Sequence, residues 1–280
     1  MRQSFDLSVP SGNTLKEFKN YGSLLISKHE KKIEWTKQGL IKLFDEVNTL
    51  KMKTSVNTDE IKLHFHDKGT PINKFVPLIK TEFVYSPQFS MDQVIRALHN
   101  YDERVKWDSN LLKKYVVKKM NRVEIVHEIL KPHAIANQKR DILEKKIGFP
   151  YRPMMDGPET PSDSFHSTSF RASANSVENY FFFSSMDSKE SRDLLPAEPD
   201  VVRTHVYFGM HKFEFIQVPP CFQGVDKALH AQENMCVKST FLLQCDAKLS
   251  KIKMGLYKTA LPKLTKSFYE SLNGYLEKNL

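Results

Sequence analysis

The feature that most constrains the fold of this chain is a long succession of strand-like segments. From Leu112 to Asp246, short runs that alternate apolar and polar residues follow one another, separated by turn-forming residues. A period of two is typical of a strand with one buried face. The predicted strands cover residues 115–118, 123–129, 140–149, 179–184, 201–218 and 235–244. Because these segments succeed one another along the chain, they predict one large antiparallel sheet.

Two long amphipathic helices are predicted on either side of the strands. Residues 24–50 carry apolar side chains at steps of three, four and seven, at Ile33, Leu40, Phe44, Val47 and Leu50. Residues 261–278 show the same spacing at Leu261, Leu264, Phe268, Leu272, Tyr275 and Leu276. Such a stripe belongs to a helix that packs one face on a core.

A hairpin and a short helix are predicted between the first long helix and the sheet. Residues 61–66 alternate apolar and polar side chains, residues 67–71 form a turn, and residues 75–84 form the second strand. Ser90 is a typical N-cap for a helix that is predicted to end near Tyr101. Two polar segments, residues 148–176 and 187–200, are predicted to be loops.

This order of elements predicts the α+β class. A curved antiparallel sheet needs cover on its inner face, and the C-terminal amphipathic helix is the obvious cover. If side chains leave the space between sheet and helix unfilled, an apolar tunnel remains for a ligand.

The charge balance favours anionic partners. Lysine and arginine number 42 against 33 aspartate and glutamate residues, a formal net charge of +9. Acidic lipid headgroups and nucleic acid both fit this surplus, and so does a solvated basic surface without a specific partner. Because there is no RNP-like aromatic string and no DNA-reading motif, nucleic acid is not among the predicted partners.

The expected location is intracellular, in the cytoplasm or peripheral to a membrane. No stretch approaches the run of about 18 apolar residues that spans a bilayer, and residues 1–10 lack the apolar core of a secretory signal. The cysteines of the sequence, Cys221, Cys236 and Cys245, are not spaced as a CxxC pair. This spacing fits buried thiols in a reducing compartment. An organelle such as the mitochondrion is compatible with the same observations.

Motifs for catalysis and for cofactors are missing from the sequence. It has no Gly-x-Ser-x-Gly motif, no glycine-rich phosphate loop and no local Cys–His signature. His64 and His66 share one face of a predicted strand and could supply two zinc ligands, but no third ligand is indicated. The chain is therefore predicted to have neither enzymatic activity nor a cofactor.

Short segments in a characteristic order resemble the START (steroidogenic acute regulatory protein-related lipid transfer) domain. They are Arg104-x-x-Trp107-Asp108 after the short helix, Arg140-Asp141 at a strand start, residues 199–203 with Val202-Arg203, and a closing strand to Asp246 before an amphipathic helix. The resemblance covers about residues 59–280. The chain departs from the family pattern at Ile142, where the family has phenylalanine, and in the long segment 148–176.

The resemblance implies a helix-grip fold, with residues 1–55 as an N-terminal extension and residues 56–280 as the START-like domain. It implies non-catalytic binding and transfer of one lipid, such as a phospholipid or a sterol, at an anionic membrane surface. The C-terminal helix would be a lid, hinged near Gly255 and Thr259, with Lys258, Lys263 and Lys266 meeting acidic headgroups. The implied tunnel residues are Trp107, Arg140, Phe182, Arg203, Phe215, Phe241, Phe268 and Leu272.

Other interpretations of the same residues stay open. Trp107 could anchor the turn in the core, with Asp108 as a local cap. Arg140-Asp141 could form a surface ion pair, and the apolar stripe of the C-terminal helix could be ordinary core packing. The chain would then be a structural subunit of a larger assembly with protein partners, and bulky inward side chains would favour this hypothesis. A third hypothesis, an enzyme on the same scaffold, requires polar groups that converge inside the tunnel.

Overall fold

The computed structural model describes residues 36–120, 123–132, 135, 137–151, 178–186, 188–225 and 235–280. The helices in this part of the chain are α1 (Lys37–Asn48), α2 (Met91–His99), α3 (Tyr101–Trp107), α4 (Ser188–Leu194) and α5 (Lys251–Glu277). The strands are β1 (Lys53–Asn57), β2 (Ile61–His66), β3 (Leu78–Val84), β4 (Leu111–Met120), β5 (Val123–Leu130), β6 (Lys139–Tyr151), β7 (Glu178–Ser185), β8 (Val201–Arg203), β9 (His205–Gln217) and β10 (Met235–Asp246).

The strands form one sheet in the order β1-β2-β3-β10-β9-β7-β6-β5-β4, and β8 pairs with β6. The β6–β8 pair is parallel, whereas the neighbours along that order are antiparallel. The hairpin β2–β3 joins the last strand, since β3 and β10 pair from Val84↔Lys238 to Leu78↔Gln244. The predicted α+β class and its large antiparallel sheet are thus confirmed.

Different helices bury the two faces of the sheet. The inner face packs against α2, α3 and α5, and its core includes Phe83, Phe213 and Leu272. The outer face packs against α1, where Phe44 lies in one cluster with Phe182. Strand periodicity alone could not assign these faces, because both are apolar in the middle of the sheet.

Side-chain caps explain why α2 and α3 are separate helices. Ser90 and Gln93 form a capping box at the start of α2, which confirms the predicted N-cap. Asn100 then ends α2 and starts α3, since its Oδ1 accepts hydrogen bonds from the N–H groups of Asp102 and Glu103 at 3.0 and 3.1 Å. The sequence analysis expected one helix here and missed this second cap.

The C-terminal helix begins at Lys251, ahead of the predicted start at position 261. Ser250 caps it by accepting a hydrogen bond from the N–H of Lys253 at 3.3 Å. The expected hinge residues Gly255 and Thr259 lie inside this helix, where the hydroxyl of Thr259 donates to the carbonyl of Gly255 at 3.1 Å. Its first turns bury no apolar stripe, so the periodicity that predicted the rest of the helix is missing there.

Several predicted boundaries differ from those in the structure. β6 continues to Tyr151, and residues 152–176 of the predicted loop lie outside the described residues. The segment predicted as a loop over 187–200 contains α4. Residues 24–35 of the first predicted helix lie outside the described part, and its remainder forms α1. The expected domain border between residues 55 and 56 falls within β1.

Within the described ranges, the structure has no helix with both the length and the hydrophobicity needed to cross a membrane.

Candidate functional site

Aromatic side chains fill the half of the inner face that lies under α5. The ring of Phe83 lies 5.3 Å from that of Tyr269 and 6.0 Å from that of Phe268, both on α5. Trp107 packs edge-on against Phe268 at 5.1 Å, and its indole N–H donates to the carbonyl of Ala97 at 2.9 Å. This half of the inner face is therefore a packed core, which holds α5 against the sheet.

Buried and half-buried charged side chains line the other half of the inner face, on β4, β5 and β6. We call this set the polar wall; its members are Lys114, Glu124, Glu128, Glu144 and Lys146. Lys114 and Glu128 are direct cross-strand neighbours and form an ion pair. Glu144 and Lys146 share a face of β6 with Gly148, which pairs with the inward-facing Phe181 of β7.

Lys146 is held by long hydrogen bonds. Its Nζ donates to the backbone carbonyl of His99 at 3.4 Å and to the hydroxyl of Tyr101 at 3.5 Å, and it lies over the rings of Tyr101 and Phe181 at 4.9 and 5.6 Å. The hydroxyl of Tyr101 donates to Oε2 of Glu124, whose buried Oε1 has no partner among the described residues. A polar group of a ligand would therefore improve the hydrogen bonding of this buried region.

Burial moves the pKa values of three polar-wall residues, Lys114, Glu144 and Lys146, toward their neutral forms. It lowers the pKa of Lys146 to about 8, although the carboxylates of Glu124 and Glu144 oppose the shift. It also lowers the pKa of Lys114 and raises that of Glu144. These shifts express the cost of burying a charged group in low-dielectric surroundings, and the opposite charges within the polar wall offset part of that cost.

A pair of histidines connects the polar wall with the aromatic half. Nε2 of His99 and Nδ1 of His211 share a hydrogen bond of 3.0 Å. The ring of His99 stacks on Phe181 at 3.8 Å, and that of His211 lies 4.2 Å from Phe213. Burial lowers the pKa of both imidazoles, in His211 to about 3, and the nearby cations of Arg104 and Lys146 add to the effect. Both rings are therefore neutral at physiological pH.

Five of the predicted tunnel residues lie on or against the inner face. Trp107, Phe215, Phe268 and Leu272 belong to the core under α5. Phe241 lies edge-on to the ring of His211 at 5.3 Å and stacks on Phe183 at 5.9 Å.

Of the other three predicted tunnel residues, Phe182 and Arg203 lie away from the inner face and their assignment is corrected, whereas that of Arg140 stays a prediction. Phe182 is buried on the outer face in the α1 cluster. Arg203 lies next to α4, where it pairs with the buried carboxylate of Asp141 at 2.7 Å. Arg140 lies at the end of the sheet and donates to the carbonyl of Ala247 at 3.0 Å. The elements that cover each face of a strand decide these positions, and they depend on tertiary contacts.

The expected lid lysines differ in their surroundings. Lys258 forms an ion pair with Asp67 of the β2–β3 loop, whereas Lys263 is exposed and Lys266 lies 3.8 Å from Glu270. Large apolar side chains are also exposed on the β2–β3 loop and on α5. Phe75 in the loop is 91% exposed, and Ile252 and Leu256 at the start of α5 are 79% and 56% exposed.

The histidines considered as zinc ligands make other contacts. His64 shares a hydrogen bond of 3.0 Å with the hydroxyl of Thr54, and His66 shares one of 2.9 Å with the carbonyl of Lys51. Across the described ranges, no three His, Cys, Asp or Glu side chains are grouped as metal ligands.

Sequence analysis missed the polar wall and the histidine pair. One signal existed: Glu144, Lys146 and Gly148 share a parity within one strand. Charged residues at one parity ordinarily indicate a solvent-exposed face, so the pattern points away from the interior. His99 and His211 are separated by more than a hundred positions, and no local pattern joins them.

The sequence matches no protein-family model and no curated protein. Solved structures do match: human STARD10 with a TM-score of 0.59 at 15% identity, over 90% of this chain and 84% of that one. Human StAR-related lipid transfer protein 5 matches with a TM-score of 0.60 at 13% identity, over 86% and 94% of the two chains. The human StarD13 (DLC2) lipid transfer and protein localization domain matches with a TM-score of 0.51 at 17% identity, over 88% and 98%. The chain thus has the START-type helix-grip fold that the sequence motifs implied.

Proposed function

We propose that this chain binds one lipid molecule between the inner face of its sheet and α5, and carries it between membranes without chemical conversion. The fold supports the proposal, because solved structures that share it include proteins named for lipid transfer. The observation that carries it is the polar wall, which places buried, incompletely hydrogen-bonded polar groups inside such a fold.

Binding of this kind follows from two physical effects. Transfer of an acyl chain or a ring system out of water is favourable by about 0.8 kcal/mol per buried CH₂ group. The polar end of the lipid loses its water and needs hydrogen-bonding partners inside the protein. The polar wall offers both donors and acceptors, and neither effect involves the making or breaking of a covalent bond.

Native mass spectrometry with lipid extraction, on protein purified from its own source, tests the proposal. We expect one lipid per chain, together with transfer of that lipid class from donor to acceptor vesicles. Protein that holds no lipid and transfers none would contradict the proposal.

Replacement of Lys146 by methionine is expected to weaken lipid binding about tenfold, because it removes a buried charged hydrogen-bond donor. A hydrogen bond to a charged group changes a binding affinity by about one to two powers of ten. Methionine fills a similar volume, so the fold should persist. The matched control is Lys145→Met at the neighbouring position, whose ammonium is paired with Glu190 at 3.1 Å instead. Titration with a fluorescent lipid measures the affinity of both variants. Equal affinities of Lys146→Met and Lys145→Met would contradict a role of the polar wall in lipid binding.

We further propose that the start of α5 and the β2–β3 loop form the surface that meets the membrane, with Lys258, Lys263 and Lys266 beside it. The loop is held firmly by the buried Gln244, which donates to the carbonyls of Asn73 and Val76 at 2.7 and 2.6 Å. These hydrogen bonds hold the backbone on both sides of Phe75, whose ring is exposed. An apolar side chain among lysines suits the interface of an anionic bilayer.

Phe75→Ser is expected to lower the affinity for vesicles with about 30% phosphatidylserine by roughly tenfold, since burial of a phenyl ring in the interface contributes about that much. The ring is 91% exposed, so thermal stability should not change. Leu112→Ser, at a half-exposed site on the opposite edge strand β4, is the control. Flotation with vesicles gives the measurement, and unchanged binding by Phe75→Ser would place the membrane contact elsewhere.

The packed aromatic half of the inner face favours a second candidate function, that of a structural subunit. Phe83, Trp107, Phe268 and Tyr269 occupy volume that a long ligand would need. A lipid-free protein recovered in a stoichiometric complex with other chains would support this role.

A further inference from the structure

Lys146 is a buried amine that has no anionic partner. It is 6% exposed, its Nζ makes only two long hydrogen bonds, and no carboxylate of the described residues lies at ion-pair distance from it. The other two buried lysines in the described part of the chain are both paired, Lys114 with Glu128 and Lys145 with Glu190. An ion pair stabilises the ammonium form of a lysine, so Lys146 lacks what keeps the other two protonated.

The surroundings of Lys146 favour its unprotonated form. Burial lowers its pKa to about 8, against the carboxylates of Glu124 and Glu144, and the cation of Arg104 adds to the shift. About a tenth of the molecules therefore carry a free amine here at about pH 7, compared with roughly one in 2,500 for an exposed lysine. Desolvation and a neighbouring cation are the two ways in which proteins turn a lysine into a nucleophile.

Groups that can move protons lie beside this amine. The hydroxyl of Tyr101 is 3.5 Å from Nζ and donates to Oε2 of Glu124, whose buried Oε1 has no partner among the described residues. Glu144 lies two positions before Lys146 on the same face of β6, and burial raises its pKa, so it can supply a proton. Condensation of an amine with a carbonyl group needs such groups, because the oxygen leaves as water only after it is protonated.

The space around the amine is apolar and does not suit an anion. Nζ lies over the rings of Tyr101 and Phe181, at 4.9 and 5.6 Å from their centroids. A carbonyl compound that also carries a phosphate or a carboxylate would meet the carboxyl groups of Glu124 and Glu144. A hydrocarbon chain gains affinity from burial, about fourfold for each CH₂ group, so a long-chain compound is favoured over a short, water-soluble one.

We propose that the cargo is a long-chain aldehyde, held through a reversible covalent bond between its carbonyl carbon and Nζ of Lys146. The amine adds to the carbonyl carbon and forms a carbinolamine. The nitrogen then loses a proton, the hydroxyl group gains one and leaves as water, and an imine remains. Aldehyde and amine thus give imine and water without an oxidant or a reductant, and addition of water releases the aldehyde unchanged. This inference rests on the proposed function, since it names the class of lipid and how it is held.

Reduction with sodium cyanoborohydride tests the inference, because this reagent converts an imine to a stable secondary amine at about pH 7. The full chain is incubated with hexadecanal in phosphatidylcholine vesicles and reduced, and its modified lysines are mapped by mass spectrometry of peptides. Lys146 should gain the mass of hexadecanal less one oxygen atom, at an occupancy at least about tenfold above that of any exposed lysine. Propanal at the same concentration should give at least about tenfold less adduct at Lys146.

Two variants remove the amine in different ways. Lys146→Met lacks the nitrogen, and Lys146→Arg keeps a positive charge but has a guanidinium that does not condense with aldehydes. Neither should form the adduct at this position. The matched control is Lys145→Met, on the opposite face of β6, which should be labelled at Lys146 as the wild type is.

The outcomes separate this inference from the proposed function. If the protein binds lipid but hexadecanal leaves no adduct on Lys146, or the adduct maps to Lys114, the inference is overturned while the proposed function stands. Equal labelling of Lys146 by hexadecanal and propanal also overturns it, since the site would then not select a lipid. A protein that binds no lipid and forms no adduct overturns both. Mapping on the wild-type chain decides even if the Lys146 variants do not fold.

Discussion

Replacement of Asp141 by alanine is expected to lower the free energy of unfolding by about 3–5 kcal/mol, the usual effect of breaking a buried ion pair. The carboxylate is 2% exposed and receives hydrogen bonds from Arg203 at 2.8 Å and from His127 at 2.9 Å. Without the carboxylate of Asp141, the guanidinium of Arg203 loses the anion with which it is paired. Urea unfolding followed by circular dichroism measures the loss.

A matched control is Glu270→Ala, which removes an exposed carboxylate that lies 3.8 Å from Lys266. Exposed pairs at this helical spacing contribute about 0.5 kcal/mol or less. If Asp141→Ala and Glu270→Ala destabilise the protein equally, the network around Asp141 is not structural.

The same network predicts a dependence of stability on pH. Burial alone would raise the pKa of Asp141, but hydrogen bonds from His127 and Arg203 outweigh it, so the pKa lies below its usual value. A carboxyl group with a lowered pKa stabilises the folded state above the pKa of the unfolded chain, about 4, and this contribution is lost as the pH falls through the folded-state pKa. The stability difference between wild type and Asp141→Asn should therefore shrink as the pH falls below about 4.

Leu272→Ala is expected to cost about 2–5 kcal/mol, since the side chain of Leu272 is fully buried between α5 and the sheet. The control on the same helix is Leu256→Ala, at a site that is 56% exposed, where the change should stay within about 0.5 kcal/mol. Denaturant unfolding compares the two. A loss below about 1 kcal/mol for Leu272→Ala would mean that α5 does not stay packed on the sheet in solution.

Local patterns in the sequence predicted most of the fold. The alternation of residues 61–66 and the spacing from Leu261 to Leu276 correspond to β2 and to the buried stripe of α5. The cap at Ser90 begins α2 as expected. Such features depend on neighbouring residues, so the sequence shows them directly.

The candidate site was predicted only in part. Trp107 and Leu272 lie in the core under α5, where their contact with a ligand stays a prediction, but Phe182 was assigned to the wrong face. Residues 180–183 are aromatic at both parities, because α1 covers one side of β7 and the inner core covers the other. Arg203 was expected inside the tunnel, yet its partner Asp141 lies next to α4, an element that the sequence analysis did not predict.

The sequence by itself thus determined most of the strands, the two long amphipathic helices and the α+β class, since these follow from short-range periodicity and capping. Only the tertiary structure decided which face of the sheet is inner, which charges are buried in the polar wall, and that His99 meets His211. The physical reason is that burial and pairing depend on segments far apart in the chain. A lysine on a strand has the same local pattern whether it faces water or, like Lys146, the protein interior.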